Sequence, residues 1–177
     1  SLHDALPICS VFHELLHIKR ILVNKVPRVV DSDLEEEWDI HVSRAIKNQD
    51  NAFEHLLIVP IEIEYYPSRI NHWLGIVDSI LNELSSSEVS ERDIKPSLLA
   101  NWIFVNCVLP KCSVRTRVME QLNLYKLKKV ADNFLDSLMP LLNHKEKAID
   151  CWFHFLETPK KLAEFEYIDC ANRTTFR

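Results

Sequence analysis

A mainly α-helical fold is predicted by three features of the 177-residue sequence. It contains a single glycine, whereas tight hairpins and phosphate-cradling loops both favour that residue. Apolar side chains recur at helical spacing through most of the chain. Prolines and short polar runs separate those stretches. The predicted architecture is a core of two helices, one bearing histidines and one bearing a glutamate, with at most a small remnant sheet. A helical bundle follows.

Composition narrows the functional classes. A net charge of -5 argues against a general nucleic-acid binder, although it leaves room for a local basic patch. No run of eighteen apolar residues is present, so no membrane partner is expected. The five cysteines form an odd set without regular spacing, which fits a reduced, cytoplasmic setting. Cys107 and Cys112 are the closest pair, and they lack the neighbouring ligands of a structural zinc site.

In chain order, Ser1–Ile8 resembles the translation of a sequencing adaptor, so residues 1–9 are expected to be a foreign extension that has replaced the natural start. Residues 10–87 are expected to form a truncated metal-binding core, and residues 88–177 a C-terminal helical region packed on it. Ser85–Ser90 marks the boundary. Ser10 is placed to cap a helix whose Val11, Leu15, Ile18 and Leu22 form a buried stripe ending before Pro27. Val29–Asp33 reads as extended. A helix is predicted from near Asp33, its first turn carrying Glu35, Glu36 and Glu37. Lys47–Val59 continues in helical register and Pro60 closes it. The alternation of Ile61–Tyr66 suggests a short strand or link. Further helices are predicted over Pro67–Ser85, Glu91–Leu109 with Pro96 near its start, Val114–Met139 capped by Ser113, and Lys145–Leu156. Ala171–Arg177 is expected to be poorly ordered.

The chemistry centres on His13-Glu14-Leu15-Leu16-His17. Residues four apart share a helix face, so His13 and His17 can grip one metal ion, with Glu14 beside it as general base. A catalytic zinc ion takes three protein ligands and leaves one position for water. Glu54 is expected as the third ligand. Asp50, four residues earlier on the same face, is an alternative ligand or a group that orients one.

Phe12–His17 followed by Asn51–Pro60 is similar to the gluzincin zinc metallopeptidases, and more narrowly to proteins of the ImmA/IrrE kind. That resemblance covers about Phe12–Pro60 and implies a zincin-like core and a zinc-dependent peptidase acting on a protein or peptide. In that family the ligand glutamate tends to precede the Asn-x-Phe stretch, which favours Asp50, whereas residue type favours Glu54. His55, Tyr65, Tyr66 and His72 qualify by type alone to stabilise an oxyanion. The competing expectation is a non-catalytic helical interaction module, or an inactive metallopeptidase-like domain.

Overall fold

The computed structural model describes residues 5–32, 40–85, 91–169, 171–172 and 174–177. Helix α1 spans Ala5–Ile18 and passes into a π-turn, Lys19–Val23. Strand β1 (Arg28–Asp31) precedes α2 (Ile40–Tyr65). Helices α3 (Arg69–Leu84), α4 (Glu91–Cys107), α5 (Val114–Leu124), α6 (Lys128–Leu138) and α7 (Lys145–Leu156) follow, then strands β2 (Ala163–Asp169) and β3 (Thr174–Phe176). The fold is mainly helical, as the glycine-poor, helix-periodic sequence predicts. The expected acidic start of a helix at residues 33–39 lies outside the described residues, and so do residues 86–90, where the domain boundary was expected. The chain packs as two units, residues 1–58 with 141–177, and residues 59–140.

The first unit is built on the early part of α2, α7 and a small sheet. Ile46, Phe53 and Leu56 of α2 and Ile149, Trp152 and Phe153 of α7 are buried. Phe53 and Trp152 meet edge to face with ring centroids 6.2 Å apart, an arrangement that suits the aromatic quadrupoles. The sheet is antiparallel in the order β1-β2-β3, with Val29 opposite Phe165 and Tyr167 opposite Phe176. Ordered strand therefore reaches Phe176, in the tail expected to be loose, because β2 supplies an edge for it and Phe176 stacks on Tyr167 at 5.3 Å. The sheet uses one segment after the histidine helix and two near the C-terminus.

Helix α1 departs from the predicted burial. It is helical from Ala5, so Ser10 lies inside it and caps nothing. The apolar stripe faces outward: Val11 is 58% exposed and Leu15 54%, and Ile18 and Leu22 are exposed too. The buried face carries Cys9, His13 and Leu16. The face that contains His13 turns inward because it packs against a histidine of α2. This inversion makes a test. Leu15→Ala should change stability by less than about 0.5 kcal/mol, as for a surface position, while Leu16→Ala should cost about 2 kcal/mol. Urea midpoints of the two variants check it.

Helix α2 is longer than the sequence suggests and contains Pro60. Proline removes one N–H donor, yet the helix continues, and the Tyr66 N–H donates to the Glu62 carbonyl at 2.8 Å. The reason lies in the second unit. Glu62 is 0% exposed, and its carboxylate accepts from Arg69 Nε at 2.5 Å and Trp73 Nε1 at 2.9 Å. A buried charge must be paired, and this clamp fixes Ile61–Tyr65 as helix where alternation suggested a strand. Around it Trp73, Val77 and Leu81 of α3, Leu98, Trp102 and Ile103 of α4, Val118 and Leu122 of α5, and Phe134 and Leu138 of α6 form the core.

Helix α4 begins at Glu91, as predicted, with Pro96 inside it and not at its start. One further helix prediction differs. The predicted Val114–Met139 helix is two helices, α5 and α6, parted at Tyr125–Leu127, where Lys126 has φ 57°. That left-handed backbone ends an α-helix in the way a C-terminal glycine does, and a lysine gives no sequence signal for it. Ser113 stands at the cap position of α5 without a side-chain capping bond.

Candidate metal centre

Helical spacing places His13 and His17 one turn apart on α1, with ring centroids 5.0 Å from each other. The third member of the group is His55, on α2. Its centroid lies 5.1 Å from that of His13 and 5.5 Å from that of His17. The ligand-capable nitrogens of His13, His17 and His55 all lie within 4.8 Å of one another. Tetrahedral coordination at Zn–N bonds of about 2.0–2.1 Å needs nitrogens roughly 3.4 Å apart. A closure of up to about 1.4 Å, within reach of side-chain rotation, would bring the three rings onto one ion. Three imidazoles form a donor set suited to a divalent ion of intermediate softness.

His13 is buried, and His17 and His55 are half-buried. Burial, then the neighbouring His13, pushes the His17 pKa down, which favours the neutral imidazole that a metal requires. Glu54, Glu14 and Asp50 act on His17 in the opposite direction, so all three carboxylates lie within its electrostatic reach. Glu14 is itself exposed.

Glu54 and Asp50 are engaged elsewhere. Glu54 is buried and accepts from Arg20, through Nε and through Nη2 at 3.3 Å. Lys145, the first residue of α7, holds it from another side at 2.8 Å. The same ammonium lies 2.6 Å from Asp50, and Asp50 also accepts the Val29 N–H at 3.3 Å. Asp50 thereby caps an outward-facing backbone donor of β1. Burial raises the carboxyl pKa of Asp50, against the pull of Lys145. Burial also works against ionisation of Glu54, but the contacts with Arg20 and Lys145 outweigh it and hold that carboxyl below the usual range.

A cleft of about 530 Å³ opens beside His17, lined also by Val29, Asp31, Asp50, Glu54 and Lys145 among others, while His13, His55 and Glu14 are not part of its lining. Among the described residues Tyr65, Tyr66 and His72 are not part of its lining. The sequence names two of the three clustered histidines and places the glutamate one residue from the third. A signal for His55 existed: it is the immediate neighbour of Glu54 on a helix already expected to face the metal. Nothing local to α2 reveals that Arg20 and the distant Lys145 take up Glu54.

The thiol of Cys107 is pushed up to about 11 by burial, so it stays protonated and is a poor metal ligand at neutral pH. No helix among the described residues is long and apolar enough to cross a membrane.

Fold and site together define a mainly helical chain carrying a three-histidine cluster able to hold a divalent metal ion. No family model matches the chain, and neither does any curated protein or solved structure.

Proposed function

We propose that the chain is a metal-dependent hydrolase, most consistent with a zinc peptidase, in which His13, His17 and His55 hold the ion. The observation that carries this reading is the convergence of the three imidazoles within 4.8 Å, with Glu14 adjoining His13 on the same helix. Glu54, the third ligand expected from sequence, is assigned a supporting part: with Arg20 and Lys145 it braces α2 beside His55. Asp50 anchors β1 at the edge of the cleft.

His13, His17 and His55 would hold a divalent cation, which when bound would supply Lewis acidity to a water molecule near neutral pH. Glu14 serves as the general base, accepting a proton from the attacking water and returning it to the leaving nitrogen. The cleft beside His17 is the natural seat for a peptide, and its mixture of acidic and basic walls suits a polar segment. Glu14→Gln keeps the side chain's size and removes its basicity. With zinc supplied, this variant should keep its metal and lose at least about 100-fold in peptide hydrolysis, the usual scale of a general-base contribution. Hydrolysis of a quenched fluorescent peptide library measures it. Equal turnover by wild type and variant would remove Glu14 from the mechanism.

A second reading, a non-catalytic interaction module, is favoured by one feature, the exposed apolar stripe of α1. Metal retention without hydrolysis of any library peptide would favour that reading.

A further inference from the structure

Charge is unevenly distributed along this acidic chain. Residues 111–129 hold six basic side chains, Lys111, Arg115, Arg117, Lys126, Lys128 and Lys129, against one acid, Glu120. Two of the six are neutralised within the second unit. Arg117 pairs with Asp78 and bonds Asn82, and Lys128 lies 2.5 Å from Asp132. Lys111, Arg115, Lys126 and Lys129 are exposed, and among the described residues no carboxylate is paired with them. Arg115 bonds instead to the neutral Asn106 at 3.0 Å. The Arg115 guanidinium and the Lys128 ammonium also both rest on the Trp102 ring, 5.2 and 4.6 Å from its centroid. The start of α5 and the start of α6 thus direct positive charge toward one indole.

The turn between α5 and α6 adds a second kind of surface. Leu122 is buried, but Leu124 is 69% exposed and Tyr125 is exposed as well. Lys126 follows in the left-handed conformation that reverses the chain, and Lys129 begins the next turn of helix. An exposed leucine and tyrosine set among lysines are the parts of an interfacial anchor. The apolar groups enter the headgroup–acyl boundary, the aromatic ring sits at headgroup level, and the cations meet anionic lipid.

We propose that the α5–α6 turn docks on an anionic lipid surface, with Leu124 and Tyr125 inserted and Lys126 and Lys129 contacting the headgroups. The sequence alone gave no expectation of a membrane partner, because overall charge and the lack of a spanning segment hide a local feature of this kind. Among the neighbouring acids, exposed Glu120 lies one turn before Leu124 and offsets one of these lysines. Asp132 is taken up by Lys128, and Asp136 lies seven residues beyond Lys129, about 10 Å along the helix. A nucleic acid would use the same cations for its phosphates but would gain nothing from an inserted leucine.

The test is co-sedimentation of the full chain with phosphatidylcholine vesicles, with and without phosphatidylserine, at low ionic strength. Binding is expected only where phosphatidylserine is present, and it should fall as salt rises. Each lysine contributes about fivefold, so Lys126→Ala with Lys129→Ala should weaken binding about 25-fold. Leu124→Ala, a change at an exposed position, should weaken it several-fold, with near-UV circular dichroism unchanged. No binding, equal binding to both vesicles, or binding indifferent to Leu124 would overturn the proposal. The last of these, with competition by duplex DNA, would assign the patch to nucleic acid.

Discussion

Lys145→Met should destabilise the first unit by about 3–5 kcal/mol, the cost of leaving buried charge without its partner. The substitution is close to isosteric along the stem, so it tests the charge more than the packing. Lys145 Nζ stands 2.6 Å from Asp50 and 2.8 Å from Glu54, with only 6% of its side chain exposed. Removing it leaves two carboxylates on one face of α2, with Arg20 on Glu54 as the remaining cation among the described residues. Glu54 is buried and Asp50 half-buried, so neither recovers full hydration.

The pH dependence of this effect has a definite sign. Glu54 has its folded pKa depressed from 4.5, so its ionic contribution is fully present above that value. It is lost as pH falls through the depressed one. Asp50 has its carboxyl raised, chiefly by burial, so it is the easier of the two to protonate in the folded state. In the variant both carboxylates can shed their charge by taking up protons. Loss of Lys145 raises both carboxyl pKa values, so the gap between wild type and Lys145→Met should narrow as pH falls through the raised values of the variant and on toward the depressed Glu54 value of wild type. Urea unfolding followed at several pH values measures it. A gap that is small at pH 7, or that widens in acid, would show that Lys145 is not the counter-charge described.

The second large effect concerns the histidines. His17→Ala should weaken zinc binding by at least about 100-fold. Loss of a group that merely orients a ligand already costs 10–100-fold, and loss of the ligand itself costs more. His17 suits the test because it is half-buried, so truncation leaves a smaller cavity than at His13. A competition titration with a chromophoric chelator gives the affinity. An unchanged affinity would remove His17 from the ion's coordination.

The two predictions separate what was legible in the sequence from what was not. The helix carrying His13 and His17 was legible because i, i+4 spacing is a local property and the structure keeps it. So were α3 and α7, whose apolar residues repeat with one clear face. The burial of α1 was not legible. Its most apolar stripe, Val11 to Leu22, lies outward while the histidine face is covered, and only the tertiary partner, α2 with His55, decides between the two faces. The extent of α2 was obscured by Pro60 and by the alternation after it, since the clamp on Glu62 comes from Arg69 and Trp73 on another helix. The break at Lys126 was hidden because the backbone adopts there a conformation that sequence associates with glycine.

The surroundings of Glu54 show the same limit most sharply. Residue type favoured Glu54, and Glu54 does lie within electrostatic reach of His17. Two cations bind its carboxylate, one from the π-turn after α1 and one 91 residues away at the start of α7. Once these hold the carboxylate, the next side chain along α2, His55, completes the cluster.

The central claim is tested most directly by the zinc content of wild type, His55→Ala and Glu54→Gln after dialysis against zinc and removal of excess, read by inductively coupled plasma mass spectrometry. About one zinc ion per chain is expected for wild type and for Glu54→Gln, and close to none for His55→Ala. No zinc in wild type, or zinc kept by His55→Ala and lost by Glu54→Gln, would contradict it.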